Sequence, residues 1–152
     1  LGKLKEKYLR DAVDEYAKRI SAYGKLDIIE LNPVKLSDNP SQNEITSALS
    51  KEADEIKKKI PNGSYIFTLC IEGKEKSSEA FAKAINDAAL NGKSHITFII
   101  GSSYGLSPEI KNLSDFKLSF SPMTFPHQLM RVMLLEQVYR AFQINNNGKY
   151  HK

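Results

Sequence analysis

Three stretches rich in glycine, serine and proline, at 69–73, 101–106 and 120–125, each follow an apolar run and are the parts of this sequence best suited to hold a small molecule. Glycine lets backbone groups approach a ligand closely, and Gly73, Gly101 and Gly105 fall in two of these stretches. Gly101 to Gly105 is Gly-x-x-x-Gly, neither the dinucleotide fingerprint nor a phosphate loop followed by lysine, so a conventional NAD or ATP site is not expected. The histidines His95, His127 and His151 lack metal-ligand spacing and Cys70 has no partner cysteine, so no metal site is expected either. Cys70 lies in an apolar run and reads as a small core residue. Glu136 and Arg140 stand one helical turn apart, the usual spacing of a surface ion pair. No Ser-His-Asp set and no carboxylate pair stands out. The terminal Tyr150-His151-Lys152 offers a stacking ring, a titratable group and a cation side by side.

The elements that must position these residues can be read from periodicity. Leu4, Tyr8, Ala12, Val13, Tyr16 and Ile20 recur at helical steps and predict an amphipathic helix over 3–23. A short strand over 25–31 follows, then a loop with two prolines over 32–40 and a second helix over 41–60. Residues 64–71 form a nearly continuous apolar strand, and Ser77 or Ser78 can cap the next helix, which Asn91-Gly92 closes. Another strand spans 94–100, Ser107-Pro108 opens a short helix, and a last strand spans 116–120. The final helix starts near Pro126 and runs to Ile144, apolar on more than one face, which suggests the sheet on one side and a second copy of the chain on the other. Strands alternating with helices imply a mostly parallel sheet in an α/β domain covered on both faces, with the strands' carboxyl ends, and hence the three loops, along one edge. The opening helix lacks the strand that normally feeds one in such folds, so the first strand reads as shortened.

A chain of 152 residues, 41% hydrophobic, suits one core and one domain. The net charge of +4 and isoelectric point near 9.0 fit a polyanionic partner without requiring one. A lone cysteine excludes an intramolecular disulfide and fits a reducing compartment, and no apolar run approaches the ~20 residues of a membrane span. The expectation is a soluble, cytoplasmic protein.

Several segments carry a family resemblance. Gly101-x-x-x-Gly105-Leu106, the run Leu118-Ser119-Phe120-Ser121-Pro122-Met123-Thr124-Phe125-Pro126-His127, then Arg131, Glu136-Gln137-Val138-Tyr139-Arg140-Ala141 and Tyr150-His151-Lys152 closely resemble the bacterial ribosomal RNA large subunit methyltransferase H family. Gly2-Lys3-Leu4-Lys5 and Leu69-x-x-x-Gly73-Lys74 match more weakly, and together the matches span nearly the whole chain. In one departure, Ser102 replaces a glycine usual in that family, so the backbone there must tolerate a side chain.

The resemblance implies a single SPOUT methyltransferase domain over 1–152, with a C-terminal trefoil knot and a homodimeric state. It places S-adenosylmethionine against Leu69, Gly101 and the loop Phe120, Ser121, Pro122, Met123, Thr124 and Phe125. The implied reaction is methylation of N3 of a pseudouridine in large-subunit ribosomal RNA, on the ribosome. The cofactor's sulfonium makes its methyl group electrophilic, and the protein must align N3 and help remove its proton. His151 is the first candidate for the base or for orienting it, and the alternative is that it only contacts RNA. Tyr150 could stack on the target base, while Arg140, Arg131 and Lys152 could hold phosphates. A non-catalytic RNA-binding or assembly protein on the same fold is the other reading, and cofactor binding separates the two.

Overall fold

The computed structural model describes residues 1–152. Its elements run α1 (Lys7–Ile20), α2 (Gln42–Lys57), β1 (Tyr65–Glu75), α3 (Ser78–Leu90), β2 (Ile96–Ile100), α4 (Pro108–Leu113), β3 (Phe116–Ser119) and α5 (His127–Asn145). The three strands form one parallel sheet in the order β2-β1-β3. β3 follows β2 in sequence yet lies on the far side of β1, so the connection through α4 crosses the central strand.

Side-chain alternation along β1 divides the core into two layers. Phe67 is fully buried among Val13, Phe81, Ile85, Leu134 and Val138, the face covered by α1, α3 and α5. Ile66 points the other way, into the smaller cluster of Ala53, Ile56, Ile99, Leu106 and Ile110 beneath α2 and α4. Thr68 is buried too, and its hydroxyl is satisfied by Ser114 Oγ at 3.1 Å. Helices thus cover both faces of the sheet, and no buried side-chain nitrogen or oxygen lacks a partner.

Local chemistry fixes the helix starts. Ser41 and Glu44 form a complete capping box on α2, while Ser77 caps α3 and Ser107 caps α4 ahead of Pro108. α1 starts later than its periodicity predicts, at Lys7, because residues 2–5 run along the start of α5 instead. The Lys5 N–H donates to Gln128 at 3.0 Å, and Arg131 donates to the Gly2 carbonyl at 2.9 Å.

Two predicted strands differ from their expected form. Residues 25–31 are not part of the sheet, and Ile28 and Ile29 are exposed. The amino group of Leu1 donates to Ile100 O and the Gly2 N–H to Leu31 O, both at 2.8 Å. Leu1-Gly2 therefore stands between the end of β2 and the end of this segment, bonding to both. β1 runs four residues beyond the predicted Ile71. It pairs with Leu118 twice, through Leu69 and again through Lys74, so residues 70–73 form an outward bulge between the two pairings.

The second face of α5 has neighbours within the chain. α1 and α3 of the same chain pack on this helix, so its apolar residues on several sides have intrachain partners and do not by themselves call for a second copy.

Candidate active site

One rung of the sheet organises the site. Leu69 on β1 pairs with Ile100 on one side and Leu118 on the other. The chain leaves β2 one residue after Ile100 and leaves β3 soon after Leu118, so the 101–106 and 120–125 loops depart from the same edge, with the 70–73 bulge between them. This is the convergence expected of parallel strands at their carboxyl ends.

Each loop is held in a specific shape. Ser102 and Gly105 exchange both backbone hydrogen bonds, at 3.2 and 2.9 Å, and Gly105 has φ +81°, a conformation glycine adopts without a Cβ penalty. A Cβ on Gly101 would lie 2.4 Å from the Gly105 carbonyl oxygen, so this closed turn requires glycine there. Ser102 itself carries no positive φ, which is how the backbone accepts a side chain where the resembling family usually has glycine. In the third loop the Ser119 hydroxyl donates to Ser121 O at 3.1 Å and the Met123 N–H donates to Ser121 Oγ at 3.0 Å. The N–H groups of Thr124 and Phe125 are taken up by no protein acceptor. The 120–125 loop thus carries free backbone donors next to the half-buried Phe120.

Two clefts flank this edge. The larger, about 410 Å³, is lined by Phe120, Ser119 and Leu118 together with Val132, Met133 and Glu136 of α5. The smaller, about 200 Å³, lies between α2, the 33–37 loop and Ser102 to Tyr104. Neither takes in Leu69 or Gly101. Pro122, Met123 and Thr124 are exposed, Met123 at 71%.

The tail residues come together on α5. Glu136 accepts from the Arg140 guanidinium at 2.6 Å, from the Tyr150 hydroxyl at 3.1 Å and from the Gln137 amide at 2.8 Å. The Glu136–Arg140 pair is thus no open surface ion pair: the side chains are only 19% and 24% exposed beneath the tail. Tyr150 packs edge-on against Tyr139 at 4.9 Å, with the Arg140 cation 4.7 Å from its ring centre. Burial, reinforced by its hydrogen bonds, pushes the Tyr150 phenol up to about 12. Arg140 Nη1 lies 3.2 Å from His151 Nδ1, and His151 Nε2 lies 2.8 Å from Glu79. Since a guanidinium can only donate, Nδ1 is the acceptor and Nε2–H faces the carboxylate. His151 is therefore held as one tautomer with both ring nitrogens engaged, and a base role requires Arg140 to release Nδ1. The tail is not a free end, because Tyr150 and His151 are half-buried; Lys152 is exposed.

The other candidates sit elsewhere. Arg131 is 13% exposed and engaged by Glu30 at 2.9 Å and Gly2 O, so it anchors the N-terminal segment to α5. His127 lies against Gly2, and burial lowers its pKa. Cys70 is half-buried, and burial raises its thiol. No cluster of histidine, cysteine, aspartate and glutamate gathers where a metal could bind. Sequence reasoning missed Glu52, a buried carboxylate touching Ser102; its signal was an acidic residue on the apolar stripe of Ile45, Ala48, Leu49 and Ile56.

Comparison with known proteins decides the family. A family model described as "Predicted SPOUT methyltransferase" matches residues 1–151. The chain belongs to the ribosomal RNA large subunit methyltransferase H family. Proteins bearing that name from Clostridium novyi and Clostridioides difficile are 52% and 51% identical over 152 residues. A Methanococcus maripaludis relative is 59% identical. All of this chain and 96% of each relative are covered.

Proposed function

We propose that this protein is an S-adenosylmethionine-dependent methyltransferase that modifies N3 of a pseudouridine in 23S ribosomal RNA, acting on the ribosome in the cytoplasm as a homodimer. The observation that carries the reading is the rung Ile100-Leu69-Leu118, which sends two loops of family-matching sequence from one sheet edge. Leu69, Gly101 and Phe120 to Phe125 would hold the cofactor, which supplies an electrophilic methyl group when bound. The unpaired N–H groups of Thr124 and Phe125 are available to fix its polar edge, and Leu69 and Phe120 to cover its ring. Tyr150, His151 and Arg140 act on the RNA side: a ring for stacking, a ring nitrogen for the N3 proton, and a cation that shares Nδ1 until the tail rearranges. Lys152 and Arg131 would supply positive charge toward phosphate, Arg131 only if it leaves Glu30. The crossing of β1 between β2 and β3 is compatible with the trefoil knot of SPOUT proteins, and knotting is part of the proposal. Support for the dimer comes from Met130, Val132 and Met133, which α1 and α3 leave only half-buried.

The experiment is methyl transfer to whole ribosomes, free subunits and bare RNA, with the modified nucleotide mapped. Transfer to one pseudouridine supports the reading, whereas binding to ribosomes without cofactor affinity would leave a non-catalytic assembly role. Gly101→Val should sharply weaken cofactor binding with the fold retained, because its side chain collides with the Gly105 carbonyl. Unchanged affinity by calorimetry would remove the site from this loop.

A further inference from the structure

Glu52 is 4% exposed, and both of its oxygens accept hydrogen bonds. Oε1 takes the Val34 N–H at 2.9 Å and Oε2 takes the Ser102 hydroxyl at 3.1 Å. None of the chain's ion pairs includes it. A carboxylate on the apolar stripe of a helix, buried with no cation bonded to it, is costly unless its hydrogen bonds are well made. Here they join three separate parts of the chain: α2, the proline loop at 33–37 and the turn at 101–105. The turn's backbone bonds close only on itself, and Ser103 and Tyr104 make no side-chain hydrogen bond, so Ser102 to Glu52 is its one polar side-chain tether to the rest of the protein.

We infer that Glu52 is a positioning residue for the cofactor loop: through Ser102 it fixes where the Gly101 to Gly105 turn stands relative to the Leu69 rung. The inference rests on the proposed cofactor reading of that turn, and Glu52 itself touches no ligand. The two bonds differ in what they tolerate. A hydroxyl can reverse from donor to acceptor, but the Val34 N–H cannot. Glu52→Gln therefore keeps both contacts, its amide oxygen accepting from Val34 and its amide nitrogen donating to Ser102. Glu52→Ala loses both, and Ser102→Ala loses only the one to the turn.

The test is calorimetric titration of the full chain with S-adenosylmethionine, alongside thermal unfolding and hydrogen exchange at the Ser102 and Gly105 amides. Ser102→Ala should weaken affinity by about tenfold and lower the melting temperature by a few degrees, because it leaves Oε2 of Glu52 without a partner, Glu52→Ala should weaken affinity by more, and Glu52→Gln should return to within about threefold of the parent. Faster exchange at Ser102 and Gly105 should accompany each loss. Where Glu52→Ala fails to fold, Ser102→Ala and Glu52→Gln still decide the matter. Parent-like affinity and exchange in Ser102→Ala would overturn the inference, as would a glutamine variant as impaired as Ser102→Ala. If the parent binds no S-adenosylmethionine, the cofactor reading is what fails, and the exchange rates alone then judge the tether.

Discussion

At the scale of single residues, the tail network ties pH to structure in two opposite directions. The Tyr150 phenol, near 12, stands above its ordinary value of 10, so the folded state holds that proton more tightly than the unfolded chain does. Its contribution to stability is complete below pH 10 and is lost as the pH rises toward about 12. Ultraviolet titration should find one tyrosine ionising near that upper value, and Glu136→Gln should bring it down by weakening the hydrogen bond. Glu79 behaves in reverse. Its own backbone N–H, and then His151, hold it down to about 2 against an ordinary 4.5. That contribution is present above the ordinary value and is lost as the pH falls toward about 2. Acid unfolding curves of the parent and Glu79→Gln should therefore converge below that window and separate above it; curves that stay parallel throughout would mean that the contact contributes nothing.

At the scale of elements, α5 is the piece on which most of the site depends. α1, α3, the N-terminal segment and the tail all meet it. Arg131 is the bolt on its N-terminal end: it pairs with Glu30 and holds Gly2, and its guanidinium keeps Glu30 below the usual carboxylate range. Arg131→Ala should destabilise the protein by about 1–2 kcal/mol in denaturant unfolding, a hydrogen-bonded charge discounted because Glu30 is partly exposed. If stability is unchanged while ribosome binding falls, Arg131 serves phosphate alone. Helix and strand order, the caps at Ser77 and Ser107 and the shared edge of the three loops were legible in the sequence, because period, cap residues and strand ends are local signals. The failures were non-local. Segment 25–31 has a strand's composition, but pairing depends on what lies between it and β2. The multi-sided apolarity of α5 has a second account that sequence cannot show, since α1 and α3 of the same chain both pack on it, and the proposed dimer rests on the residues they leave half-buried. The bulge at 70–73 exists only because Leu118 receives β1 twice, and nothing in Cys70 to Gly73 announces that.

At the scale of the whole molecule, the tail closes over the α5 surface rather than trailing from it. Deleting Tyr150 to Lys152 should strongly lower methyl transfer to ribosomes while cofactor affinity stays close to the parent's. It should also cost measurable stability, since Tyr150 is packed on Tyr139 and Arg140, and a melting curve separates the two effects. Full methylation by the deletion variant would return the tail to a purely structural part. The order β2-β1-β3 carries a further consequence, for the way the chain is made. The central strand is synthesised before either of its neighbours, and about 40 residues separate its end from that of β3. At ~5–20 residues per second, the ribosome leaves both edges of β1 without a neighbour for seconds. During that interval an apolar strand core from Ile66 to Leu69 is open to pairing with other nascent chains, and only the charged end at Glu72, Lys74, Glu75 and Lys76 resists it. The sheet cannot close until β3 has followed β1 and β2 off the ribosome, so slower elongation after Glu75 should lower the soluble yield rather than raise it.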